Sequence, residues 1–178
     1  MAEAGASIWW LQADADRRAA RRVFELPDER TFCQAIAKQQ QAVEKAVKAL
    51  AAAVRDARLA SIRIKFTHDI DKLLNALNRL HRPTGENAAI QSRIHRLFSA
   101  RWEAEISALM ALAPKARLEE EPIAVRNTEY PYQNADGSWR APAQSGSFSD
   151  TDVRRFQVLA DYVVDGSDRL ISAIERRP

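Results

Sequence analysis

The chain is poor in the residues that punctuate and cross-link proteins. It has five glycines among 178 residues, one cysteine, and no apolar run longer than the six residues Ala49–Val54. Scarce glycine with abundant Ala, Arg, Leu and Glu favours helix over sheet. A single cysteine, Cys33, excludes an internal disulfide and a Cys-based zinc cage. A reducing cytoplasm is the expected setting. Beside Phe32, at the start of an apolar stripe, Cys33 is expected to pack rather than react. The short apolar runs exclude a bilayer-spanning helix. The opening residues show no basic start followed by an apolar core, so no signal peptide is expected. No Gly-rich phosphate loop, no Ser-His-Asp order and no cluster of metal ligands is present, so neither cofactor nor metal is expected. The last of the three histidines is His95.

What the chain does have is helical periodicity. Apolar residues make up 46% and charged residues 29%, a soluble balance. The length suits one domain with a real core. The net charge is only +3, unevenly spread. From Asp28 to Lys65 there are eight basic residues against four acidic. Such a basic face either attracts RNA or nucleotide or is a solvated helix surface.

The pattern predicts an all-α bundle of about five helices with one long loop before the last. The first helix spans about Ser7–Leu26, with Ile8, Leu11, Ala15, Ala19, Val23 and Leu26 on one face. The second spans about Glu29–Arg58, with the stripe Phe32, Ile36, Gln40, Val43, Val47, Leu50 and Val54. Gln40 interrupts that stripe, and a buried amide needs a partner, either another helix or a ligand. A third helix is expected over about His68–His81. The fourth spans about Glu86–Ala113, with Ile90, Ile94, Phe98, Trp102, Ile106 and Leu109. From Pro114 to Phe148 the period stops, apart from an Asp136-Gly137 turn signal. Loops this long are often functional. The last helix starts at Ser149, with Asp152 completing a capping box. Its stripe is Val153, Phe156, Leu159, Val163, Leu170 and Ile174, and Gly166 is expected to loosen it locally. Residues 1–178 thus read as a single domain.

The stretch Gln34–Leu50, QAIAKQQQAVEKAVKAL, resembles the second helix of the HEPN domains, small helical modules of prokaryotic toxins and of nucleotide- or RNA-handling proteins. Trp10-Leu11-Gln12-Ala13-Asp14-Ala15-Asp16 is similar to the family's opening helix. His68-Asp69-Ile70 is similar to its third-helix start, and Tyr130-Pro131 to a late loop element. The resemblance implies an up-and-down bundle assembled as a homodimer. Side chains such as Leu97, Phe98 and Trp102, spread around more than one face of the fourth helix, also point to a dimer. It further implies RNA or nucleotide as ligand, and possible pairing with a small nucleotidyltransferase as its toxin-like half.

In the ribonuclease members of the family, an Arg is followed by a polar residue and, a few residues on, by a His. Two copies face each other and cut RNA without metal. Such an Arg neutralises phosphate charge, and the His moves a proton. The best match is Arg126-Asn127-Thr128-Glu129-Tyr130-Pro131-Tyr132. There Arg126 clamps phosphate, Asn127 orients it, and Tyr132 stands in the place of the His. Tyr, with an ordinary pKa near 10, is a poor base at neutral pH. In a second register, Glu129-Tyr130-Pro131 aligns with the family's Arg-Tyr-Pro. The alternative to cutting is a non-catalytic module that binds a partner protein or nucleotide through the 114–148 loop.

Each candidate also has a plain structural role. Arg126 is otherwise a surface arginine. Tyr130 and Tyr132 either stack on a base or plug the loop onto the bundle. Lys38, Gln41, Lys45 and Lys48 form either a phosphate-binding ridge, with Lys45 and Lys48 in contact with RNA, or a solvated face with a Glu44–Lys48 ion pair. His68 with Asp69 is a proton-transfer pair or a helix start. His81 and His95 read as surface residues, and Glu119-Glu120-Glu121 as an acidic patch that opposes RNA.

Overall fold

A computed structural model describes residues 5–64, 70–81, 85–113, 126–129 and 132–177. Its α-helices are α1 (Ala6–Phe24), α2 (Phe32–Asp56), α3 (Asp71–Leu77), α4 (Glu86–Leu97), α5 (Ala100–Met110) and α6 (Asp150–Glu175). Two short strands, β1 (Tyr132–Gln133) and β2 (Trp139–Arg140), pair antiparallel. The all-α expectation holds. The hairpin is an addition: the long loop is not patternless, and the Asp136-Gly137 signal is its turn, with Gly137 at φ +82° and the Ser138 amide donating to Asp136.

α2 is the central helix, packed between α1 and α6 with lesser contacts to α3 and α5. Its whole predicted stripe from Ile36 to Val54 is buried, as are the alanines from Ala42 to Ala53, because small side chains let neighbours approach from two sides. Contacts fix the directions. Trp9 meets Lys48, Asp16 meets Lys38, and Thr31 bonds the Val23 carbonyl, so α1 and α2 run antiparallel. Glu86 faces Arg177 and Glu105 faces Arg155, so α4 and α5 run antiparallel to α6. The result is an up-and-down bundle.

Three expectations need correction. The predicted fourth helix is two helices, α4 and α5, separated at Phe98 and Ser99, where Ser99 turns extended with ψ 159°. The stripe survives the break, since Ile90, Ile94, Phe98, Ile106 and Leu109 are all buried. Gly166 does not loosen α6. A Cβ there would lie 2.3 Å from Leu97 Cδ1, so the glycine is the slot that receives Leu97. On α1 the first part of the predicted stripe faces outward, with Ile8 61% and Leu11 59% exposed, whereas Val23 packs against the core. The inner face instead carries Ala6, Ala13, Ala20, Asp14 and Asp16, with Trp9, Trp10, Val23 and Phe24 packed against the core and Asp16 paired to Lys38 and Lys45 of α2.

The third helix is seven residues long as described, and residues 65–69, with His68 and Asp69, lie outside the described part. The last helix begins as expected, with the reciprocal Ser149–Asp152 capping box formed. Cys33 is buried, and burial raises its thiol pKa.

Candidate functional site

The segment Arg126–Glu129 is tied down at both ends. Thr128 donates its amide to the Leu112 carbonyl, just past α5 (3.2 Å). Asn127 is buried, and its Oδ1 accepts the Glu129 amide at 3.0 Å, a local turn that fixes the backbone. Arg126 extends toward the start of α6. Its guanidinium lies 4.3 Å from the Phe148 ring centre and 3.4 Å from Asp152. Phe148 holds the guanidinium by cation–π attraction. Asp152 is already engaged by both the amide and the hydroxyl of Ser149. The Arg126 side chain remains 40% exposed, with polar edge left to meet an anion.

Beside this segment is a cleft of about 610 Å³. Thr128 and Glu129 form one wall and Ala141–Ala143 another, with Cys33, Gln34 and Lys38 of α2 on the floor. The hairpin is moored to the start of α2 by Ser145, whose hydroxyl donates to Glu29 at 2.9 Å. Lys38 donates to Gln41 at 2.9 Å and pairs with Asp16 at 3.3 Å, and its side chain stays 40% exposed.

The other candidates lie apart from solvent or from the described residues. Tyr132 is 5% exposed, in β1 opposite Arg140. Tyr130 and Pro131 are outside the described residues, as are Glu119–Glu121. Lys45 is paired with the buried Asp16 of α1. Lys48 is 2% exposed, 2.5 Å from Glu44, with its Nζ 5.0 Å from the Trp9 ring centre. An anion reaching either lysine must displace a carboxylate inside the bundle. Gln40, the odd residue of the stripe, donates to the Leu109 carbonyl at 3.0 Å, so its partner is another helix. Gln39, which periodicity did not single out, donates to the Val153 carbonyl at 3.1 Å.

The two described histidines have their own partners. His81 Nε2 accepts the Ser61 amide at 3.1 Å, and His95 Nε2 lies 3.2 Å from the Asn78 carbonyl. Among the described residues, no three His, Cys, Asp or Glu side chains converge to hold a metal ion, and no helix is long and apolar enough to cross a membrane. The cleft-lining role of Lys38 and Gln34 was not legible, because the loop that closes the cleft carries no periodic signal.

A central α2 flanked by an antiparallel α1 and a parallel α6, with charged side chains between α1 and α2, defines a small helical-bundle module. The family model for the HEPN domain matches residues 6–112, and the chain belongs to that family. The match spans α1 through α5, while Arg126–Tyr132 lies beyond it. No curated protein and no solved structure matches the chain. Membership in this family implies a nucleotide- or RNA-related function in general terms.

Proposed function

We propose that this HEPN protein binds RNA or nucleotide along the cleft lined by Lys38 and Thr128–Glu129, with Lys38 inside the cleft and Arg126, outside its lining on Phe148 and beside Asp152, as the phosphate-facing cations. One observation carries the proposal: Arg126 is held over the Phe148 ring with 40% of its side chain still open. An arginine oriented by an aromatic ring is pre-organised for a phosphate, so less freedom is lost on binding. Lys38 adds a second charge on the cleft floor.

We favour binding over cutting. Metal-independent cleavage needs a group that moves a proton within reach of the phosphate held by Arg126. The candidate, Tyr132, is covered in β1, and no histidine follows His95. If the chain does cut RNA, Arg126 clamps the phosphate, Asn127 acts through the local turn it makes, and a homodimer supplies the second half of the site. Pairing with a small nucleotidyltransferase belongs to the same proposal. The exposed Ile8 and Leu11, one turn apart on α1, favour a protein-facing surface there.

The test is fluorescence anisotropy with a labelled single-stranded RNA in EDTA, with the same samples run on a gel and their mass read by light scattering. Arg126→Ala is expected to weaken binding about tenfold, or ~1.4 kcal/mol, and to reduce the salt slope by about one. Arg22→Ala, an exposed arginine of α1, is expected to change neither. Wild-type affinity in Arg126→Ala removes the proposed site. Cleavage by wild type that is lost in Arg126→Ala restores the nuclease alternative, and a monomeric mass removes the dimer.

A further inference from the structure

At the far end of α2 lies a second cavity, of about 440 Å³, lined by Arg55, Arg58, Ser61, Arg63 and His81 over the small apolar surface of Ala60 and Ile62. Three guanidinium groups and an imidazole share this lining, and among the described residues no carboxylate is part of it. Arg55 pairs with Asp56 at 2.8 Å. Among the described residues, neither Arg58 nor Arg63 has an ion-pair partner, and both are exposed.

The backbone here has an unusual feature. α2 ends in a six-residue closing turn: the Arg58 amide donates to the Arg55 carbonyl at 2.8 Å, and the Leu59 amide to the Val54 carbonyl at 2.9 Å. Leu59 and Val54 are both buried, the apolar contact that accompanies this turn. The left-handed position in such turns is ordinarily glycine. Here it is Arg58, with φ +57°, the one described non-glycine residue with positive φ. An arginine in this conformation costs stability that glycine would not. Strain kept at one residue is a pointer to use, and this residue lines the cavity.

The cavity is also framed. The His81 amide donates to the Leu59 carbonyl at 2.7 Å, and the Ser61 amide donates to His81 Nε2. These two bonds hold the imidazole and the 59–61 backbone together. The carbonyl end of α2 opposes an anion with the equivalent of about half a negative charge, against the guanidinium charges of Arg58 and Arg63, that of Arg55 being paired with Asp56.

We infer that this cavity binds the phosphate group of a nucleotide or of an RNA strand. It does not rest on the Arg126 cleft. Lys38 and Arg55 are about 26 Å apart along α2, so one mononucleotide does not reach both sites, whereas a strand can.

The experiment is a ¹H–¹⁵N correlation titration of the full chain, first with inorganic phosphate, then with a nucleoside monophosphate, then with a single-stranded oligoribonucleotide. Saturable shifts are expected at the Ser61 amide. Arg58→Gly and Arg63→Ala are each expected to weaken that binding roughly five- to tenfold. Arg58→Gly is also expected to raise the melting temperature, because glycine relieves the backbone, so loss of binding there cannot be loss of fold. Arg126→Ala is expected to leave the Ser61 shifts unchanged, so this site and the Arg126 cleft stand or fall separately. Tighter binding of the monophosphate than of phosphate identifies a nucleotide ligand, and a gain reserved for the oligonucleotide identifies a strand. No saturable shift with any of the three, or wild-type titrations in both Arg58→Gly and Arg63→Ala, overturns the inference.

Discussion

Gly166 shows how one residue can carry information that only packing reveals. In a helix interior, glycine to alanine ordinarily stabilises by about 1 kcal/mol. Here the new Cβ meets Leu97, whose Cδ1, Cδ2 and Cγ all lie within 3.4 Å of it. Leu97 is itself 5% exposed and has little room to turn away. Overpacking of this kind costs about 1–3 kcal/mol. Gly166→Ala is therefore expected to be destabilising by ~1 kcal/mol net in chemical denaturation, and Gly166→Ala with Leu97→Ala to lose that clash. A Gly166→Ala protein more stable than wild type would refute the slot. The sequence marks Gly166 as a helix weakness because propensity is local, whereas its partner lies on another helix. The Ser149–Asp152 capping box was legible for the opposite reason: both residues sit within one turn.

Among the elements, α1 and α2 share a layer of charged side chains, in which Asp16 bridges the two helices. Asp14 sits between Arg17, at 2.5 Å, and Arg18. Burial pushes its carboxyl pKa up, but the bonds and charges of the two arginines outweigh this and leave it below its ordinary value. Asp16 takes Lys38 and Lys45, and Glu44 takes Lys48 under Trp9. Breaking a buried pair strands a charge, which costs about 3–5 kcal/mol. Lys48→Ala is expected to lose at least ~3 kcal/mol, while Glu44→Leu with Lys48→Met stays within ~1 kcal/mol of wild type or exceeds it. Equilibrium denaturation decides this: a loss under ~1 kcal/mol in Lys48→Ala would mean the pair is solvated. Hydrophobic counting put Ile8 and Leu11 on the inner face of α1 because it weighs apolar residues alone. The inner face is selected by alanines that permit close approach, by Trp9, Trp10, Val23 and Phe24 against the core, and by Asp16, which meets two lysines. For α2 and α6 the same counting succeeded, since both bury continuous apolar stripes. The side chains that suggested a dimer, Leu97, Phe98 and Trp102, are used within the chain: the first two are buried, and Trp102 stacks on Tyr162 at 4.1 Å.

The molecule as a whole is an α2-centred bundle with two cationic places, one at each end of its central helix. The family was legible from the Gln34–Leu50 helix, because its glutamines and charged residues are architecture that the fold requires. The chemistry was less so: the Arg126 cleft closes through a loop without periodicity, and the Arg58 cavity forms from a backbone turn and a histidine brought together by folding.

Gln39 and Gln40 have a consequence beyond their two bonds. Adjacent on one helix, they address different neighbours, α6 through Val153 and α5 through Leu109. An apolar stripe tolerates sliding by a helical step, because one leucine fits another's place. An amide aimed at a single carbonyl does not, so the pair acts as two dowels that index three helices against one another. Replacing both with leucine is expected to change stability modestly, by ~1–2 kcal/mol, while broadening the ¹H–¹⁵N resonances of α5 and α6 as alternative registers become populated. Sharp spectra in that double variant would show that the alanine-rich packing sets the alignment unaided. With the dowels in place, α2, α5 and α6 share one register.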